Sequence, residues 1–175
     1  ASDPDAYRGI AVGNTISKLL SLLLVARLSH WAGVHGLLGP EQAGFLWRHA
    51  ADQQVFALTQ TLKARQRRGL ATFALFVDLR KAYDKVHLGA LWAMLRHMGV
   101  AGPVVELLSN LAVARSTQVR VNGELSPPFP VEVGVPQGDP LSCLLFVLFI
   151  ESLSRFLDAN TEGITVRGVR IPHLL

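Results

Sequence analysis

Cysteine is almost absent from the 175 residues. The single Cys143 excludes an internal disulfide framework and any cysteine-based zinc site. It sits in an apolar run and reads as a small core residue. The six histidines are scattered, with no i, i+4 pair and no metal-ligand spacing. The longest apolar runs, at 19–27 and 144–150, fall far short of the ~20 residues a bilayer span requires. The stretch Ala1–Asp5 is polar and acidic, unlike a signal peptide. There is no initiator Met, so the chain reads as a segment excised from a longer polypeptide. No internal repeat or low-complexity stretch is present.

What the sequence has in abundance is apolar residues and arginine. Half of the residues are hydrophobic and the mean hydropathy is +0.32. That implies a well-buried core, or apolar faces that expect partners. The formal net charge is +4, which permits a polyanionic partner without establishing one. Placement says more. Lys63, Arg65, Arg67 and Arg68 precede one apolar stretch, and Arg80, Lys81 and Lys85 follow it. A solvated helix end accounts for the first group, since cations favour a helix C-terminus. The two groups flanking one acid raise the prospect of phosphate contact.

That stretch, Phe73-Ala-Leu-Phe-Val-Asp78, organises the rest of the chain. Its composition predicts a buried strand over Thr72–Leu79 that ends in a carboxylate. A buried unpaired charge is costly, so Asp78 calls for a metal or a cation; capping of the following turn is the plainer account.

Around this strand the pattern predicts mostly helices. Asn14 or Thr15 caps a helix to about Trp31, with Ile16, Leu19, Leu20, Leu23 and Leu24 as its stripe. A second helix over roughly Ala50–Arg67 turns Val55, Phe56, Leu58 and Leu62 inward, and Gly69 stops it. A third covers about Leu88–His97, with Leu91, Trp92 and Leu95 inward, and a fourth covers Val104–Val113. Thr117–Leu125 reads as a hairpin about Asn122-Gly123, and the prolines at 127, 128 and 130 confine the returning strand to an edge. Asp139 at the cap and Pro140 at the first helical position start a buried helix to about Asp158. Gly163–Ile171 gives two short strands about Gly168. The fold class is α+β, with a small antiparallel sheet packed on helices.

Four blocks, in order, resemble reverse transcriptases of the non-LTR (LINE-type) retrotransposon class. Tyr7-Arg8-Gly9-Ile10 with Asn14-Thr15 is similar to the first fingers block, and Gln42-Ala-Gly-Phe45 with Asp52-Gln53 to the next. Phe76–Asp84 resembles the first catalytic palm block, and Gly134–Ser142 the second. The resemblance implies a right-hand polymerase: residues 1–70 a fingers-like region, and 71–175 a partial palm ending just before an expected Asp-Asp hairpin. It implies RNA-directed DNA synthesis with an RNA template, a DNA primer and dNTP. It also implies two Mg²⁺ ions that clamp the primer 3′-hydroxyl and the leaving pyrophosphate.

Carried over by position, Asp78 is the first metal-binding aspartate, with the Leu79 carbonyl beside it. The amides of Lys81 and Ala82 face the triphosphate. Tyr83 lies under the sugar, where its ring excludes a 2′-hydroxyl. Gln137 and Gly138 adjoin the nucleotide or template, and Arg8 reaches the triphosphate. Asp84 fixes local backbone or pairs with a cation. No adjacent Asp-Asp pair occurs in the 175 residues. Because one carboxylate does not hold two metals, the chain alone is expected to be inactive. A noncatalytic nucleic-acid-binding module derived from such an enzyme is the alternative. A nuclear or ribonucleoprotein-associated location follows from the resemblance, and no membrane partner is expected.

Overall fold

The computed structural model describes residues 9–47 and 49–174. Its frame is a group of helices around α5 (Pro140–Asn160). Helix α1 (Thr15–Val34) packs along α5, and α3 (Leu88–His97) packs on both α5 and α4 (Gly102–Val113). Leu24, Leu28 and Ala32 of α1 meet Leu91 and Leu95 of α3, Val105 and Leu108 of α4, and Leu141, Leu144, Leu145 and Leu148 of α5 in one buried cluster.

Local signals set the helix ends. The Asn14 side chain accepts from Ser17 N at 2.8 Å and opens α1. The Asp139 carboxylate accepts from Leu141 N at 3.1 Å and, with Pro140 at the first position, opens α5. At the start of α3 the His87 ring accepts from Ala90 N. Helix α5 is long and apolar enough, by length and composition alone, to cross a membrane. In this fold its apolar face is buried against α1 and α3.

Among the described residues the strands form three separate two-stranded antiparallel ladders. Strand β1 (Ser116–Thr117) pairs with β4 (Phe129–Pro130), where Pro130 limits the pairing to two residues. Strands β2 (Arg120–Val121) and β3 (Glu124–Leu125) form the expected hairpin. Its turn has Asn122 at φ +51 and Gly123 at φ +90, both left-handed, as a tight hairpin requires. Strands β5 (Ile164–Val166) and β6 (Val169–Ile171) flank a second such turn at Arg167-Gly168.

Three sequence expectations fail. Residues 72–79 do not form a buried strand: the segment is neither helical nor paired, and Phe73 is 97% and Phe76 80% exposed. A strand is a property of a pair, and no described segment supplies the partner. Helix α2 (Ala51–Gln66) forms, but its apolar stripe faces outward: Val55, Phe56 and Leu62 are exposed and Thr61 is its buried residue. Helix α1 turns Ser21, Leu24, Leu28 and Ala32 inward and leaves Ile16, Leu19 and Leu23 exposed. Twelve of the twenty residues of that helix are apolar and they lie on all sides of it, so periodicity alone could not select the face that meets α5.

Candidate active site

Three segments far apart in sequence meet beside the N-terminus of α5. The turn of 3₁₀ helix Tyr83–Lys85 lies under the loop 133–139, held by Gly134 N donating to Val86 O and Val135 N donating to Tyr83 O, each at 2.9 Å. The lead-in segment at 9–12 closes from the other side, with Ala11 N donating to Gln137 O at 2.7 Å. The side chains add one long contact, from Gln137 Nε2 to Asp84 Oδ1 at 3.5 Å.

Glycine permits this close approach at two positions. Gly134 has φ +91, and a Cβ there would lie 2.9 Å from the Asp84 Cα. Gly138 has φ +118, and a Cβ there would lie 2.5 Å from the Ala11 carbonyl oxygen. Both positions need a left-handed backbone and bare van der Waals space, which only glycine provides without strain.

Tyr83 is the half-buried centre of an aromatic group. Its ring stacks on Phe146 of α5 at 5.0 Å between centroids and 17° between planes, and meets Phe45 edge-on at 6.4 Å. Burial pushes the phenol well above its ordinary pKa, and the neighbouring Cys143 thiol adds to the shift, so Tyr83 is neutral at physiological pH. The group therefore acts as a rigid apolar surface with one hydroxyl, suited to packing rather than to proton transfer.

Before Tyr83, Lys81 adopts φ +54, uncommon for a residue with a side chain, while Ala82 is right-handed helical (φ −52, ψ −48). Alternation of handedness in successive residues curves the backbone amides into a concavity of the kind that receives anions. At the other rim Asp139 caps α5 and lies close to Arg115. Burial lowers the pKa of that guanidinium, and the Asp139 charge partly restores it.

The structure thus brings together Tyr83, Ala82, Gln137 and Gly138. Asp78 and Leu79 lie on the adjoining unpaired segment, and both are exposed. The expectation of a buried Asp78 is corrected accordingly: without a paired strand beneath it, the carboxylate stays in water. Arg8 lies outside the described residues. Phe45, Phe146 and Ala11 were not singled out by sequence. The only advance signal was the place of Phe45 in a Gln-Ala-Gly-Phe block.

A hard divalent cation takes oxygen ligands and keeps several waters. Asp78 and the Leu79 carbonyl are donors of that chemistry. Among the described residues, however, no three His, Cys, Asp or Glu side chains cluster to hold a metal. The donor set is of the right kind and too small to hold an ion by itself.

The reverse transcriptase (RNA-dependent DNA polymerase) family matches residues 2–169. The chain is 31% identical over 151 residues to a probable RNA-directed DNA polymerase from transposon BS of Drosophila melanogaster, covering 86% of this chain and 16% of that protein. It is 27% identical over 163 residues to the Pol polyprotein of the type-2 retrotransposable element R2DM of the same fly, covering 91% and 15%. With the Pol polyprotein of a type-1 retrotransposable element R2 of Popillia japonica it shares 26% over 175 residues, covering 98% and 24%. It spans a quarter or less of the length of these three relatives. The segments that converge on Tyr83 all lie within the matched region, and the chain belongs to the reverse transcriptase family, among the non-LTR retrotransposon polymerases.

Proposed function

We propose that the chain is the fingers (residues 1–70) and partial palm (residues 71–175) of a polymerase that copies RNA into DNA for a non-LTR retrotransposon. The observation that carries this reading is the docking of Gly134–Gly138 onto Tyr83–Val86. Two blocks separated by about fifty residues of sequence become one surface, as a nucleotide site shared between them requires. The partners are an RNA template, a DNA primer and dNTP, in a nuclear or ribonucleoprotein-associated setting.

In this reading Tyr83 lies under the deoxyribose. Its ring is fixed by Phe146 and Phe45, so a 2′-hydroxyl has no room to displace it. The curved backbone at Lys81 and Ala82 receives the triphosphate, with Arg8 reaching it from the first block. Gln137, whose carbonyl is tied to Ala11, and Gly138, whose missing side chain lets backbone approach, border the nucleotide or template. Asp78, with the Leu79 carbonyl, is one arm of the metal site. Mg²⁺ held there, with carboxylates supplied from outside this chain, would activate the primer 3′-hydroxyl and stabilise the leaving pyrophosphate. The 175 residues alone carry one such carboxylate and are inactive.

The test is primer extension on an RNA template by the polymerase that carries this segment. Wild-type enzyme extends with Mg²⁺, Asp78→Ala does not, and the isolated chain does not. Full extension by Asp78→Ala removes the assignment.

A further inference from the structure

The basic cluster at the end of α2 is not absorbed by the site around Tyr83. It faces a second, sequence-distant cation. A cleft of about 170 Å³ separates the last turn of α2 from the β5–β6 turn, and Arg65, Arg67, Arg68 and Arg167 line it together with Leu70 and Thr165. Among the described residues, no carboxylate lines it. Such a volume admits several waters, at roughly 30 Å³ each, or a hydrated phosphate.

Both walls are fixed. Arg65 donates from Nε to Thr72 Oγ1 at 2.6 Å and from Nη2 to Ala71 O at 2.9 Å. Leu70 N returns to Arg65 O, and Gly69 at φ +68 makes that tight turn possible, which sets where Arg67 and Arg68 stand. Opposite, Arg170 pairs with Asp158 at 2.6 Å and donates to the carbonyls of Thr161 and Glu162, anchoring the β5–β6 hairpin to the end of α5. The hairpin then holds Arg167 out at its tip.

Helix-end electrostatics explains Arg67 and Arg68 but not Arg167. Arg167 sits at φ +51 in a two-residue turn, where Gly, Asn or Asp fits best. The turn does not call for arginine, and four guanidinium groups around one cleft repel one another. Arginine forks match phosphate oxygens two at a time, which a solvated lysine does not. Among the described residues no aromatic ring lines the cleft, so they offer no stacking platform for bases.

We propose that this cleft grips the sugar–phosphate backbone of RNA without reading sequence, at a place that shares no lining residue with the Tyr83 site. The choice of RNA among polyanions rests on the polymerase reading.

The experiment is fluorescence anisotropy of a 5′-labelled 20-nucleotide RNA with the 175-residue chain across a KCl series. A triple variant, Arg67→Gln with Arg68→Gln and Arg167→Gln, should lower the slope of log affinity against log salt by about 2, at ~0.7 per single-strand phosphate contact. A control triple of equal charge change, Arg27→Gln with Arg96→Gln and Arg120→Gln, should keep the wild-type slope. Equal loss in both triples, or none in the first, overturns the proposal. Binding to vesicles of 30 mol% phosphatidylserine that drops as much in the first triple overturns the assignment to RNA. Primer extension by Asp78→Ala, run in parallel, bears on the polymerase reading and leaves the slope result standing on its own.

Discussion

The Tyr83 ring stacks on Phe146 with centroids 5.0 Å apart and planes 17° apart, so the end of one block rests on the core helix that the other block starts. The stack ties the orientation of Tyr83 to the packing of α5. Replacing Phe146 by Leu keeps an apolar contact but removes ring-on-ring complementarity, a loss of about 1 kcal/mol. Urea unfolding at neutral pH checks that figure. In the full polymerase, Tyr83→Ala should raise ribonucleotide incorporation in primer extension, and Tyr83→Phe should not, because in the proposed site the ring and not the hydroxyl would exclude the 2′-hydroxyl. Unchanged discrimination in Tyr83→Ala removes the gate role.

The two glycines of the docked loop should fail separately. Gly134→Ala drives a Cβ to 2.9 Å from the Asp84 backbone at a left-handed φ, and neither group can move aside. A stability loss of about 2 kcal/mol or more follows. Gly138→Ala meets the Ala11 carbonyl instead. The lead-in segment at 9–12 can lift away, so the global loss should be smaller while hydrogen exchange at the Ala11 amide speeds up sharply. Gly36→Ala is the reference, since its φ of +57 is strained but the space around it is open. If Gly134→Ala costs no more than Gly36→Ala, the close packing of the loop on Tyr83–Val86 is not what holds the site.

The helices were legible because their signals are local. Asn14, Asp139 with Pro140, and Asn122-Gly123 each act within about four residues, and each lies where the sequence places it. Leu91, Trp92 and Leu95 turn inward as their spacing predicts, because the other side of α3 offers only the small Gly89, Ala90 and Ala93 and the terminal Arg96 and His97 against them. Where that contrast is missing, in α1, or where no element arrives to cover a stripe, in α2, spacing cannot choose the buried face. Pairing is not local either, so Phe73–Val77 reads as a strand in sequence and stands unpaired in the fold. Tyr83 was singled out by its position in the Phe76–Asp84 block, through the resemblance to reverse transcriptases. Its contacts with Phe45 and Phe146 depend on tertiary closure and left no trace a single sequence reveals.

That unpaired segment has a consequence for handling the chain. Phe73, Leu75, Phe76 and Val77 expose apolar side chains on both sides of an extended backbone. Extended apolar backbone with unpaired amides recruits other copies. Sedimentation velocity at tens of micromolar should show self-association by the isolated chain. Phe76→Lys, which places a charge in the middle of the run, should increase the monomer fraction. A wild-type chain that stays monomeric and melts cooperatively would mean the segment is covered in solution by contacts absent from this fold.

The last prediction concerns Glu151, a carboxyl buried inside the helical core with only 2% of its surface exposed. Its Oε1 accepts from Gly39 N at 3.2 Å and lies 3.5 Å from Arg155 Nε, while Oε2 has no partner among the described residues. Burial pushes its pKa above the usual carboxylate range. The Gly39 amide and Arg155 pull it partly back, and Glu41 adds to the rise. The folded state therefore holds this proton more tightly than the unfolded chain. The resulting stabilisation is complete below the unfolded carboxyl pKa of about 4.3 and is lost as pH rises through the elevated folded value. Glu151→Gln keeps an oxygen for Gly39 and cannot ionise. Its stability relative to wild type should improve from about pH 4 toward neutrality, measured by urea midpoints at successive pH values. Both proteins keep Glu41 and the neighbouring Ser154–His173 hydrogen bond, so the difference curve reports the ionisation of Glu151. A difference that does not change with pH would show that the Arg155 contact and the Gly39 amide offset the burial in full.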